Sequence, residues 1–190
     1  MDHLVGTQAP ERRTTDPAEA LGHLERAVPG LAALRFPEPR AIDWQRVEAG
    51  LGTALPADYR LLCERYPPFV LGDFLGVGGL SPGNEDAWVQ GRYELLETVE
   101  EWCAEADLEV PLHAYPVPGG LLPWAVSSQG DFLLWTTDPA EPREWTVTVA
   151  SRSSAWWHYT GGAVQFLADL VGGAVEPWAL PRVRPVVEEW

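Results

Sequence analysis

Apolar residues recur at helical spacing on both sides of a short connection within residues 42–66. Asp43 can cap a first helix, and Pro56 suits the first turn of a second helix because its φ angle is preset and it has no N–H to leave unpaired. The apolar positions are Trp44, Val47 and Leu51 in the first helix and Tyr59, Leu62, Cys63 and Tyr66 in the second. The segment therefore predicts two short helices, each of which must bury one face against another element.

The rest of the chain predicts further helices on both sides of a group of strands. Helical spacing of apolar residues recurs at 16–28, 85–107 and 163–171. Alternating or densely apolar runs, which indicate strands, lie at 74–77, 121–126, 132–136, 145–150 and 155–159. This order predicts an α+β fold, with an antiparallel sheet of about four to six strands and helices packed on one face.

Length and composition favour one globular domain. The chain has 190 residues, 46% of them hydrophobic, which is enough to bury a core of its own. Residues 1–15 are polar and charged without periodicity and predict a flexible tail, so that the domain would span 16–190 with its core at 42–173. Residues 175–190 contain three prolines and no helical period, which predicts an extended C-terminal tail.

Two groups of residues resemble the motifs of the SUKH superfamily, the Smi1/Knr4-like domains. The first group reads W-x2-V-E-x2-L-G-x2-L-P-x-D-Y, and the second reads L-L-P-W-A followed by Q-G-D-F-L-L-W. The residues that carry the resemblance include Trp44, Leu51, Leu55, Pro56 and Tyr59 in the first group and Gly130, Asp131 and Trp135 in the second. In the second group, Gln129 stands where the family pattern has the first glycine of its turn. The resemblance covers roughly residues 42–173, in the order that the family's elements would follow.

SUKH domains that resemble this chain are best known as immunity proteins of bacterial toxin systems. They bind a co-encoded toxin, often a nuclease or a deaminase, and neutralise it without catalysis. The resemblance therefore implies a non-catalytic binding protein, most of all an immunity protein. The alternative that it leaves open is a regulatory or small-molecule-binding module in signalling or cell-envelope control.

The charge of the chain indicates which class of partner it binds. The chain has 28 acidic and 13 basic residues, all of the latter arginine, and a formal net charge of −15. Nucleic acid is a poor partner for such a chain, because phosphates are bound through clustered Lys and Arg. We expect a basic protein partner, although strong negative charge also keeps a tryptophan-rich protein in solution.

The predicted helix at 85–107 has the densest run of acidic residues. Glu97, Glu101 and Glu105 recur every four residues, with Glu94 and Glu100 beside them. Like charges at this spacing disfavour a helix by about 0.2–0.5 kcal/mol per pair. Two interpretations are open: a solvated helix face, or an acidic docking surface for a cationic partner.

Trp156 and Trp157 are neighbours in a predicted strand, where successive side chains point to opposite faces. Both cannot enter the same core, so we expect that one of them is exposed. Because exposed Trp residues are enriched at binding hot spots, this pair is a candidate apolar anchor. The alternative is that the C-terminal tail covers the outward-facing ring.

The sequence predicts no catalytic, metal or cofactor site. The four histidines are scattered, and no nucleophile elbow, P-loop or dinucleotide motif is present. Cys63 and Cys103 fall on two predicted helices and are interpreted as reduced, buried thiols. Asp131 is interpreted as a structural residue that binds backbone N–H groups of its turn. No apolar run approaches the length of a membrane span and no signal segment is recognisable, so we expect a cytoplasmic protein without membrane contact.

Overall fold

The structure, a computed structural model, describes residues 3–190. Within this range the chain forms eight strands and five α-helices. The strands are β1 (His3–Gln8), β2 (Phe69–Leu71), β3 (Leu75–Val77), β4 (Leu121–Ser127), β5 (Phe132–Thr136), β6 (Thr146–Ala150), β7 (Ala155–Tyr159) and β8 (Val187–Glu189). The helices are α1 (Pro17–Ala27), α2 (Trp44–Leu51), α3 (Ala57–Arg65), α4 (Glu85–Glu105) and α5 (Ala163–Gly172).

The predicted helices are confirmed, and local capping explains where they begin and end. Asp16 accepts a hydrogen bond from the backbone N–H of Glu19 at 2.7 Å and caps α1. Asp43 caps α2 in the same way, with 3.1 Å between its Oδ1 and the backbone nitrogen of Arg46. Gly52 ends α2 with a φ of 80°, a left-handed conformation that glycine adopts without strain.

The α+β class is confirmed, but the sheet is larger than predicted and is mixed. Its strand order is β1-β7-β6-β5-β4-β3-β2-β8. From β7 to β8 in this order, each strand is antiparallel to its neighbour, whereas β1 runs parallel to β7. The prediction of an antiparallel sheet with about four to six strands is therefore wrong, because both edge strands and the short β2 were missed.

Both edge strands come from segments that were predicted as tails. His3–Gln8 pair with Ala155–Tyr159, so β1 corrects the prediction of a flexible tail over residues 1–15, of which residues 1 and 2 lie outside the described residues. At the other edge, Val187–Glu189 of the predicted C-terminal tail pair with Phe69–Leu71. The alternation in these two segments is short, and the strand that each pairs with lies more than 100 residues away. Local periodicity therefore gave no signal for either pairing.

Helices contact both faces of the sheet, which corrects the prediction that they pack on one face. Phe132 and Trp135 of β5 lie on opposite faces because they are three residues apart in a strand. The ring of Trp135 packs edge-on against Tyr59 of α3, with centroids 4.9 Å apart. On the other face, Trp102 of α4 lies 5.0 Å from Phe132. None of the helices within residues 3–190 combines the length and the apolar character that crossing a bilayer requires.

Candidate functional site

The glutamates singled out from the sequence all lie on α4 and are all exposed. They are Glu94, Glu97, Glu100, Glu101 and Glu105, and together they are called the acidic face of α4 below. The opposite side of the helix is apolar and buried, and its members are Trp88, Val89, Leu96, Val99 and Cys103. The helix is thus held by its apolar side, and its carboxylates point to solvent.

Nearby cations do not neutralise the acidic face. In the part of the chain that the structure describes, no arginine or histidine nitrogen lies within 4.0 Å of an oxygen of these five carboxylates. Arg92, the one basic residue of α4, places its guanidinium 4.9 Å from the ring centroid of Trp88. The Arg92 guanidinium is withdrawn from water, and this desolvation lowers its pKa. The cation of this helix therefore lies beneath the helix and not among the glutamates.

One glutamate of the acidic face also has a structural contact. Glu100 accepts a hydrogen bond from the backbone N–H of Ala114, with 3.0 Å between Oε2 and the nitrogen. This bond fixes the segment that returns from α4 to β4. Two further exposed carboxylates, Asp107 and Glu109, lie in that segment and extend the negative surface beyond the end of the helix.

An apolar groove lies beside the end of the acidic face. It has a volume of about 540 Å³ and is lined by Leu4 of β1, His158 of β7, and residues 107–110 and 112 of the segment after α4. Leu4 and Val110 are 48% and 74% exposed, and both line this groove, so they form part of one apolar patch. The groove therefore joins exposed apolar surface to the carboxylates of Asp107 and Glu109.

His158 supplies a polar group to this groove. Its Nδ1 lies 2.8 Å from Oγ1 of Thr148, which is itself 2.8 Å from Oγ1 of Thr136. This hydrogen-bonded row crosses β7, β6 and β5 and fixes the orientation of the imidazole. Burial lowers the pKa of His158, so the ring is held neutral at physiological pH.

Sequence reasoning missed the groove. One wall comes from β1, which was predicted as part of a flexible tail. The other comes from residues 107–112, the segment that follows α4. A signal was nevertheless present, because Leu108, Val110 and Leu112 alternate with Glu109 and Pro111. Apolar residues at every second position indicate one apolar side of an extended segment.

The expectation that Trp156 or Trp157 is exposed is wrong. Their exposed fractions are 1% and 0%. Trp157 lies 5.7 Å from Phe166 of α5 and 5.8 Å from Trp178 of the C-terminal segment, measured between ring centroids. Trp156 points to the other face, where it borders a notch of about 220 Å³ with Trp102. Both rings are covered, so neither tryptophan can serve as a solvent-facing anchor.

Asp131 connects two adjacent loops at one end of the sheet. It accepts hydrogen bonds from the hydroxyl of Ser127 at 2.5 Å, from the hydroxyl of Ser151 at 3.1 Å and from the backbone N–H of Arg152 at 2.9 Å. Gly130 precedes it with a φ of 90°, which favours glycine. Two of these donors are serine hydroxyls, and the one backbone N–H belongs to the neighbouring loop and not to the turn of Asp131 itself. Asp131 therefore has a structural role, which is to hold the two loops together.

The two cysteines are buried and free. Burial raises the pKa of Cys63 and of Cys103 to about 12, so little of either thiol is ionised at neutral pH. Across the described residues, no three His, Cys, Asp or Glu side chains form a group that could hold a metal ion.

The residues of the SUKH-like motifs lie mainly in the core and meet there. Tyr59 of the first motif packs on Trp135 of the second, as described above. The positions Leu51, Leu55 and Pro56 are buried. Trp44 is half-buried, and its indole N–H donates to a carboxylate oxygen of Glu64 at 2.7 Å. Comparison of the chain with protein-family models, with curated proteins and with solved structures found no match, so the SUKH resemblance rests on these motifs.

Proposed function

We propose that this chain is a non-catalytic, SUKH-like immunity protein of the bacterial cytoplasm that binds and neutralises a co-encoded toxin. The toxin domain would be basic and of the nuclease or deaminase type. The observation that carries this proposal is the acidic face of α4, whose five exposed glutamates have no cation within 4.0 Å among the described residues. A surface of this kind attracts the positive surface that a nucleic-acid enzyme uses to hold phosphates.

The distribution of arginine supports the same proposal. Six arginines form ion pairs with carboxylates outside the acidic face. The pairs are Arg12–Glu19, Arg35–Glu25, Arg46–Asp86, Arg60–Glu48, Arg143–Glu144 and Arg184–Asp73. These six carboxylates are thus each paired with an arginine, whereas none of the five glutamates of the acidic face is paired with one among the described residues.

The size of the acidic face fits a protein partner. From Glu94 to Glu105 the helix rises about 17 Å, at about 1.5 Å per residue. Asp107 and Glu109 extend this surface toward the apolar groove. A standard protein interface buries about 800 Å² of each partner, and charge complementarity raises association rates by about 10- to 1,000-fold.

Growth rescue tests the proposal. The protein is co-expressed with the toxin domain encoded beside its gene, and we expect that the wild type restores growth. The triple variant Glu97→Arg, Glu101→Arg, Glu105→Arg should fail to restore growth while its melting temperature stays close to that of the wild type, because all three side chains are exposed. Retained rescue by the triple variant would contradict binding through the acidic face.

The rival function, a small-molecule-binding or regulatory module, has weaker support. A tryptophan-lined ligand pocket would favour it. The notch bordered by Trp102 and Trp156 has a volume of about 220 Å³, whereas ligand pockets have volumes of about 300–1,000 Å³. Glu105, Arg152 and two serines also line the notch, so it is mainly polar.

A further inference from the structure

We propose that the groove beside β1 receives one apolar side chain of the basic partner, and that cationic residues next to this side chain contact Asp107 and Glu109. This inference rests on the proposed function and adds the docking element that the partner must carry. The acidic face of α4 would supply long-range attraction, and the groove would supply the local contact that fixes the register of the complex.

The shape and lining of the groove support an apolar guest. Its volume of about 540 Å³ leaves room for a bulky aliphatic side chain. Four aliphatic side chains line it: Leu4, Leu108, Val110 and Leu112. Because Val110 is 74% exposed, a guest side chain would remove apolar surface of the protein from water as well as its own.

The negative charge at the rim of the groove favours positively charged residues on both sides of the apolar side chain that enters it. Asp107 and Glu109 line the groove and are exposed, and among the side chains of residues 4–190 neither lies within 4.0 Å of an arginine or histidine nitrogen. Arginine or lysine beside the apolar guest would meet these carboxylates, whereas an acidic partner would be repelled.

The same charges argue against a second copy of this chain as the occupant. The protein has a formal net charge of −15, and pairing two copies at the groove would bring Asp107 and Glu109 of both copies close together. Like-charge juxtaposition in an interface is strongly unfavourable. A cationic partner is therefore the occupant that the groove favours.

A set of three short peptides tests the proposal without knowledge of the toxin. The first is the capped pentapeptide Arg-Arg-Leu-Arg-Arg, the second replaces its leucine with glycine, and the third replaces its arginines with serine. Binding to the full-length, isotopically labelled protein is followed by NMR, using the methyl groups of Val110 and Leu112 and the imidazole of His158. We expect the first peptide to bind about tenfold more tightly than the second, because burial of the leucine removes apolar surface from water.

A matched pair of variants locates the binding site. Val110→Ser should reduce the affinity for the leucine peptide to that for the glycine peptide. Val186→Ser, at an exposed valine next to the opposite edge strand β8, should leave both affinities unchanged. Val110 is 74% exposed and Val186 is 42% exposed, and neither belongs to the buried core, so neither substitution removes core packing.

The outcomes separate this inference from the proposed function. Equal binding of the leucine and glycine peptides would overturn the inference while leaving the acidic face as a binding surface. Equal binding of the serine-flanked and arginine-flanked peptides would overturn it in favour of a site for neutral apolar ligands. If neither cationic peptide binds, both the inference and binding through the acidic face are contradicted.

Discussion

The carboxylate of Asp58 joins two helices that are far apart in sequence. Its Oδ2 accepts a hydrogen bond from the backbone N–H of Val164 in the first turn of α5, at 3.1 Å, and its Oδ1 accepts one from Tyr59 at 2.8 Å. Protein atoms enclose the carboxylate, although the residue as a whole keeps some exposed surface. Desolvation raises the pKa of Asp58 above its usual value, with the two hydrogen bonds acting in the opposite direction.

The raised pKa of Asp58 predicts a pH dependence of stability. In the unfolded chain the carboxyl titrates near a pKa of about 3.9, whereas the folded protein retains the proton to higher pH. The free energy of unfolding should therefore fall, relative to the Asp58→Asn variant, as pH rises from the unfolded pKa through the folded pKa. Urea unfolding of both proteins at several pH values measures this difference. A difference that moves in favour of the wild type over the same interval would contradict a desolvated carboxylate.

At the scale of elements, α4 packs on the protein with one side and exposes carboxylates to solvent on the other. Its apolar side is buried, while its acidic face reaches solvent and has no ion pair with any side chain that the structure describes. Two adjacent glutamates differ in what they do. Glu100 accepts the hydrogen bond from Ala114, and Glu101 has no hydrogen-bond partner among the described side chains and lies between Glu97 and Glu105 at four-residue spacing. Glu100 and Glu101 can therefore be compared directly, because they are neighbours on one helix and differ in this hydrogen bond.

Substitution of these two glutamates by alanine should have opposite effects. Glu101→Ala should raise the free energy of unfolding by a few tenths of a kcal/mol at low salt, because it removes two like-charge pairs, each of about 0.2–0.5 kcal/mol. Glu100→Ala should lower it by about 1 kcal/mol, because the N–H of Ala114 loses its acceptor. Denaturant unfolding at low and high salt measures both, and the effect of Glu101→Ala should shrink at high salt. Identical effects of the two substitutions would contradict the distinct roles.

The edge strand β1 gives a second prediction at this scale. Deletion of residues 1–8 removes its parallel pairing with β7 and one wall of the groove. We expect a loss of at least about 1 kcal/mol of stability, which corresponds to a fall of about 2–4 °C in melting temperature for a protein of this size. Calorimetry of the two proteins measures the change. An unchanged melting temperature would agree with a flexible tail and not with a strand.

For the whole molecule, the elements that local periodicity encodes could be predicted from the sequence. The helices from α1 to α5 and the strands from β4 to β7 lie where spacing and capping placed them. Pairing between distant segments could not be predicted, and this is why β1, β8 and the groove were missed. The exposed state of the α4 glutamates followed from the amphipathic pattern, whereas the burial of Trp156 and Trp157 depended on α5, Trp178 and Trp102, which approach β7 from elsewhere in the chain.

The electrostatic interactions of the whole molecule depend on where its charges lie and not only on the net charge. A net charge of −15 would attract any cationic surface from a distance. Affinity for a partner docked on α4 would depend mainly on the charges inside the interface, because only these are desolvated with the partner. Charge reversals of equal size at α4 and elsewhere should therefore differ in their effect on affinity.

The most direct test is calorimetric titration of the toxin domain that the proposed function requires, with two variants of equal net charge. The first has Glu97, Glu101 and Glu105 replaced by arginine, and the control has the same replacements at three exposed glutamates outside α4, namely Glu38, Glu141 and Glu188. We predict that the α4 variant binds about 100-fold or more weakly than the wild type, because like-charge contacts in an interface cost several kcal/mol, while the control stays much closer to the wild type. Equal losses in the two variants, or no loss in the α4 variant, would contradict the claim that the acidic face of α4 is the binding surface.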